Sequence, residues 1–349
     1  MKHKGMAWKI LVTSLVFSFA ANLSAKSPAE ALKYLNELTD PLDKISADRL
    51  SYIQALAHSN NKRETETKRG AIITSVEKAL LNANQATNYD GNSDLKDAVI
   101  KYLNVYYTVL REDYGKIVDL KEAAEQSYDA METYMLAEKK ASEKLRESAD
   151  KFNKEQKEFA KDNDITLYES KDRMSLLLKK SGEVMDYKDE IYLIDFKPYK
   201  QEYYLMQALK DQDVKAIEQN RETLLKYAEE GLKLLDKVVA YDGDPSLIQS
   251  CKNNLNFYKA EAKDQIPTLV DFYLKKAQFE TYKKKFNEKD PKDRTQEDVD
   301  SYNKLLGEVN ALVATYNNIN QTLDKQRGTL IEQWNKANKN FLSKHIPKK

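Results

Sequence analysis

Outside its first 25 residues this chain has two histidines, His58 and His345, and in its whole length one cysteine, Cys251. Imidazole and thiolate are the usual general bases, nucleophiles and metal ligands near neutral pH. Such work needs them grouped, and here they stand far apart. The sequence holds no H-E-x-x-H and no Glu-x-x-His pair of the di-iron bundles. It has no phosphate-cradling glycine loop and no G-x-S-x-G. Cys251 falls on an apolar helical stripe and is read as a small core residue. Carboxylates abound, but interspersed lysines make them solvated charge ladders. An enzyme working with carboxylates alone would need two buried acids facing each other in a cleft, and no spacing marks such a pair. The expectation is a protein with no catalytic residues, no metal and no cofactor.

One stretch is unusual. "YKDEIYLIDFKPYKQEYY", residues 187–204, gathers Tyr187, Tyr192, Phe196, Tyr199, Tyr203 and Tyr204. Tyrosine joins a large apolar body to a polar tip, which suits a binding surface. The same residues suit the wet edge of a core. Tyr192, Phe196, Tyr199 and Tyr203 are the candidate binding surface, with core packing as the competing reading.

A second oddity is the tripeptide Tyr-Asp-Gly, found at 89–91 and again at 241–243 in a chain with only 9 glycines. With a shift of 152, residues 89–119 and 241–271 agree at nine positions, among them Leu95/Leu247, Leu103/Leu255 and Tyr106/Tyr258. Composition alone would give about two. "FNKEQKEF" at 152–159 resembles "WNKANKNF" at 334–341, with a shift of 182. The extra residues are assigned to the polar stretch 287–298. The chain therefore reads as a diverged tandem duplication. Apolar residues at helical spacing precede and follow each tripeptide. Asp90, Gly91, Asp242 and Gly243 are read as structural turns between helices. Gly91 and Gly243 supply positive φ to stop a helix, and Asn92 or Ser93, and Asp244 before Pro245, cap the next. A calcium loop beginning at Asp90 or Asp242 would need a bidentate Glu at position 12, where Lys101 and Asn253 stand.

The elements follow from these signals. Ser27-Pro28 opens a helix toward Leu38, and Asp40-Pro41 kinks or restarts it on its way to Ala57. A second helix covers roughly 61–86, and a third starts near Ser93. Gly115 and Pro267 align, and a break or kink is expected at both, with a continuous helix through Gly115 as the alternative. Heptad seams run through Ile117, Ala124, Met131, Glu138, Leu145, Phe152 and Phe159, and through Val299, Leu306, Val313, Asn320, Arg327, Trp334 and Phe341. Glu138 and Asn320 occupy matching places, either to fix register or in a solvated gap. "EIYLIDF" at 190–196 is the nearest approach to a strand and also fits a buried helical turn. The expected fold is all-α: two tandem, duplicated antiparallel helical bundles with long heptad-patterned helices. The expected division is a signal peptide at 1–25, one bundle at 26–168 and another at 169–349.

The opening "MKHKGMAWKILVTSLVFSFAANLSA" has a lysine-bearing start, a short apolar run and small residues before a cleavage point after Ala25. Lys2, Lys4 and Lys9 are three of the 57 basic residues, which leaves 54 bases against 56 acids beyond Ala25. A nucleic-acid protein would carry a basic surplus. The lone cysteine excludes an intramolecular disulfide. Scarce glycine and proline, with 32% charged and 41% hydrophobic residues, favour long helices around a real core.

Five segments together resemble a family of bacterial surface proteins of unknown function: "YDGNSDLKDAVIKYLNVYYTVLREDYGKIVDL", "AAEQSYDAMETYMLAEKKASEKL", "EIYLIDFKPYKQEYYLMQAL", "IEQNRETLLKYAEEGLKLL" and "WNKANKNFLSKHIPKK". The resemblance implies export to the periplasm or cell surface and an all-helical fold, and it supplies no catalytic residues. The expected function is a non-enzymatic exported binding or structural module. Its partner would be an unknown protein or envelope component, with no nucleic acid and no transmembrane segment after signal cleavage. The alternative is a periplasmic carrier or chaperone-like protein with an apolar groove between bundles.

Overall fold

The computed structural model describes residues 27–59, 61–114, 123–168 and 173–347. The expected signal peptide, Gly115 and the seam position Ile117 lie outside them. Among the described residues the protein is all-α, a helical bundle fold without strands. The helices are α1 (Pro28–His58), α2 (Lys62–Gln85), α3 (Asp94–Thr108), α4 (Tyr128–Asp162), α5 (Arg173–Asp211), α6 (Val214–Leu235), α7 (Ser246–Ala260), α8 (Ile266–Glu288) and α9 (Gln296–His345). They form two compact units. One is the chain up to Tyr187 together with Leu342 onward, and the other is Lys188–Phe341.

Local sequence explains the helix starts. Ser27 Oγ accepts from the Glu30 amide at 3.3 Å, and Glu30 Oε2 accepts from the Ser27 amide at 2.9 Å. This reciprocal box satisfies two orphan donors ahead of Pro28. Pro41 neither breaks nor restarts α1, which runs on to His58. Asn61 and Asp213, 152 apart, cap α2 and α6 with their side chains. The segment 190–196 is helical, inside α5, which also carries Pro198.

The first unit packs Leu35 and Ile45 of α1, Ile72 and Val76 of α2, Val99, Leu103 and Tyr106 of α3, and Leu145 and Phe152 of α4 into one core. Buried positions on α4 drift from Met131 through Ala141 and Ala149 to Gln156 and Ala160, the path of a straight helix rather than a strict heptad. In the second unit the buried side chains include Ile191 and Leu205 of α5, Leu224 and Ala228 of α6, and Leu247, Cys251 and Leu255 of α7. Leu269 of α8 and Leu323 of α9 are buried too. Glu138 receives a hydrogen bond from the Tyr134 hydroxyl at 2.8 Å, and Asn320 donates to the Tyr316 carbonyl at 2.9 Å. Both polar seam residues thus bond back four residues along their own helix.

The two Tyr-Asp-Gly segments form tight turns rather than helix stops. Asp90 (φ 50°) and Gly91 (φ 79°), like Asp242 (φ 47°) and Gly243 (φ 72°), place two successive residues at positive φ, as in a type I′ turn. The Tyr89 and Asn92 backbones exchange hydrogen bonds of 3.1 and 2.9 Å across it. Asn92 Oδ1 then accepts from the Asp94 amide at 2.6 Å, and Asp244 Oδ1 from the Ser246 amide at 3.0 Å, which starts α3 and α7. The tyrosine beside each turn meets a phenylalanine edge-on: Tyr89 on Phe159 at 5.3 Å and Tyr241 on Phe341 at 6.0 Å. Left-handed helix stops occur elsewhere, at Asp164 and Gln212, where Ile165 and Asp213 donate back to Ala160 and Ala208. A Cβ added at Gly243 meets nothing within 4 Å, so the cost of Gly243→Ala is conformational. It is expected to be about 1–2 kcal/mol, measured by chemical denaturation.

Both long helical runs change pitch at the same relative place. α3 passes into a π-turn at Val109–Asp113, and α7 into one at Glu261–Gln265, again 152 apart. The second lies immediately before Pro267, where a kink was expected. A proline ring clashes with the carbonyl four residues earlier, and a wider turn there relieves it. The helix then continues through Pro267 into α8.

Candidate functional site

His58 donates from Nε2 to the Ile346 carbonyl at 2.8 Å, and Gln54 donates to Pro347 at 2.8 Å. The end of α1 thereby holds the segment after α9. His345 is buried. Cys251 is fully buried, and that burial pushes its thiol well up, which keeps it protonated. Among the described residues no group of three or more His, Cys, Asp or Glu is arranged to hold a metal ion.

The candidate aromatic surface lies on α5, in the second unit. Tyr192, Phe196, Tyr199 and Tyr203 follow at steps of four, three and four residues, so they share one helix face. Tyr192 stacks on Phe196 at 5.5 Å, and Phe196 meets Tyr199 at 6.0 Å. Depth divides them. Phe196 is 5% exposed, whereas Tyr199 is 43% and Tyr203 51% exposed. Lys200 Nζ sits 4.5 Å from the Tyr203 ring centre, a cation–π contact that holds the ring in place. The stripe is anchored at Phe196 and open at Tyr199, Tyr203 and the 38%-exposed Tyr204.

The same unit contains a buried ionic cluster that no sequence spacing marks. Arg327 of α9 donates from Nε to Glu202 of α5 at 2.5 Å and from Nη2 to Glu261 at the π-turn. Its Nη1 reaches Asp324 at 2.9 Å. Glu261 is fully buried and Glu202 nearly so. Burial raises the Glu261 carboxyl, and the facing Glu202 carboxyl raises it further against the pull of Arg327. Arg327 thus bonds three carboxylates, two of them buried.

A second buried acid stands on the same helix. Asp195 accepts from Asn254 Nδ2 at 2.9 Å. Burial, and to a smaller degree the Glu202 charge, pushes its carboxyl up to about 7. Asn254 Oδ1 has no protein partner, so a protonated Asp195 has an acceptor to donate to.

Each unit also carries an open groove. One of about 710 Å³ runs between α3 and α4. One of about 830 Å³ runs between α7 and α9. Eleven of the sixteen residues lining the first and eight of the eleven lining the second are polar or charged. Neither Glu202 nor Glu261 lines the second groove.

Among the described residues, then, the protein is all-helical, with an exposed tyrosine stripe, a groove in each unit and buried carboxyls in the second. No protein-family model, curated protein or solved structure matches the chain. Among the described residues no helix is long and apolar enough to cross a membrane.

Proposed function

We propose that the chain is a non-enzymatic, exported binding or structural module of the cell envelope, and that it engages its partner through helix faces, with the α5 tyrosine stripe at the centre. The observation that carries this reading is the exposure of Tyr199 and Tyr203, at 43% and 51%, on a helix face fixed from below by buried Phe196. Large aromatic rings with a polar tip, held rigid before contact, lose little entropy on binding. The lysine-bearing apolar N-terminus supports export.

We further infer that the two units are antiparallel bundles that arose by tandem duplication. The turn, the start and end of the following helix and the π-turn all recur at a shift of 152. So does a finer detail. Arg69 pairs with Glu66 and donates to the Leu110 carbonyl, while Arg221 pairs with Glu218 and donates to the Ala262 carbonyl.

The test is a Tyr199→Ala/Tyr203→Ala double variant. Its thermal midpoint is expected to stay within a few degrees of the parent, as for exposed positions. Its capture of envelope components from intact cells is expected to drop, and surface proteolysis of those cells reports whether the chain is exposed. A variant that unfolds would assign the tyrosines to the core, and unchanged capture would remove the stripe from the binding surface.

A further inference from the structure

The grooves in the two units occupy corresponding places and have opposite linings. In the first, eight of sixteen lining residues are charged. In the second, one of eleven is charged, Lys325, although 32% of the whole chain is. The change is position by position. With the shift of 152 that relates α3 to α7, Asp113 becomes Gln265. With the shift of 182 that relates α4 to α9, Lys144 becomes Gln326, Glu147 becomes Thr329 and Lys151 becomes Gln333. The comparison rests on the duplication inferred above. The site itself does not involve the tyrosine stripe, none of whose residues lines the groove.

An exposed helix face is ordinarily kept soluble by charge, as α4 is. Replacing most of that charge with amides keeps the face polar and leaves Lys325 as the charged lining residue. Amides differ from charged groups in a second way. Each presents a donor and an acceptor side by side, so neighbouring hydroxyls can be bonded in both senses. Gln265, Gln321, Gln326, Gln333, Asn256 and Thr329 supply such groups to the lining. Gln265 Oε1 has no protein hydrogen-bond partner. Phe257 lies among these polar groups, half-buried, with its ring 5.6 Å from Tyr258 and the Arg327 guanidinium 6.0 Å from its centre. A fixed aromatic face beside paired donors and acceptors matches a ring that has C–H groups on one side and hydroxyls round its rim.

We propose that the groove between α7 and α9 is a binding site for an uncharged oligosaccharide, with Phe257 under a sugar ring and the amides of Gln265, Gln326 and Gln333 on its hydroxyls. A peptide would need apolar pockets for alternate side chains, and Ala260 and Leu330 are the aliphatic lining residues. A polyanion would be better served by the charges that this groove lacks.

The test uses the full chain in isothermal calorimetry with neutral tetrasaccharides of glucose and of N-acetylglucosamine. A polygalacturonate tetramer and an uncharged alanine-glycine octapeptide serve as comparators. One neutral tetrasaccharide is expected to bind in the micromolar to millimolar range. Phe257→Ala is expected to weaken that binding about tenfold. The variant Gln265→Asp/Gln326→Lys/Thr329→Glu/Gln333→Lys introduces four of the eight charges of the first groove, and it is expected to abolish binding while leaving the circular dichroism melt unchanged. The proposal is overturned if neither neutral sugar binds, if the polyanion or the peptide binds instead, or if sugar binding survives the fourfold variant. None of these results bears on the tyrosine stripe, because capture through Tyr199 and Tyr203 is measured separately.

Discussion

Replacing Arg327 by Met is expected to lower the stability of the second unit by about 3–5 kcal/mol, the cost of leaving buried charge without its partner. The methionine keeps most of the volume and removes the donors that hold Glu202 and Glu261. Two nearly inaccessible carboxyls would then face each other without a base, so both would be driven toward protonation. The loss should therefore shrink in acid, where both carboxyls are protonated in the unfolded chain as well. A companion variant separates charge from packing. Under the duplication, the places of Glu261 and Arg327 are held in the first unit by Val109 and Leu145. Both of these are buried. Glu202→Leu/Glu261→Val/Arg327→Leu converts the cluster to that apolar form and should fall close to the parent, because well-packed apolar replacements of buried ion groups are often neutral or stabilising. Urea denaturation of both variants at pH 7 and pH 5 decides the matter. A loss below about 1 kcal/mol for Arg327→Met would match an exposed ion pair and would contradict the burial of the cluster.

The second large effect is on pH dependence. Asp195 is raised to about 7 from an ordinary 3.8, chiefly by burial. A carboxyl raised in the folded state stabilises fully below its unfolded value, and that contribution is lost as pH rises through the folded value. Stability is therefore expected to fall between about pH 4 and pH 7 by something on the order of 4 kcal/mol from this group alone. Glu261 is raised as well and acts in the same direction. Asp195→Asn removes the Asp195 part. The amide can still accept from Asn254 Nδ2, and it can donate to Asn254 Oδ1, which otherwise lacks a partner. The variant should match the parent near pH 4, exceed it by a few kcal/mol at pH 8, and show a shallower slope between, measured as urea midpoints across pH. Equal slopes in the two proteins would mean that Asp195 titrates as it does in water.

How much of this could be read from residues alone depends on the range of the interaction. Helix starts were legible because their determinants are local: Ser27 with Glu30, and Asn92 or Asp244 two residues ahead of the amide it caps. The repeated tripeptide was legible as a turn, although its glycines serve a type I′ geometry and the left-handed helix stops fell to Asp164 and Gln212, where no glycine marks them. The π-turns were not legible, since one extra residue in a helical turn leaves the apolar pattern almost unchanged. The Glu202–Glu261–Arg327 cluster was hidden for another reason. Its bonds join residues 125 and 66 positions apart, and each charge taken singly looks like one more rung of a solvated ladder. The aromatic run at 187–204 announced itself by composition, but the depth that separates Phe196 from Tyr199 is set by what packs on α5, which the run itself does not encode.

The solitary thiol at Cys251 has a practical consequence. It sits at zero exposure in the middle of α7, and burial holds it in its unreactive protonated form. A thiol reagent can reach it only when that helix leaves its neighbours, so the labelling rate times the opening of the second unit while the first, which has no cysteine, stays silent. Where reclosing outpaces labelling, the rate converts directly to an opening free energy. The wild-type chain thus arrives with a reporter already installed in one half, and the opening of that half can be followed without introducing a probe.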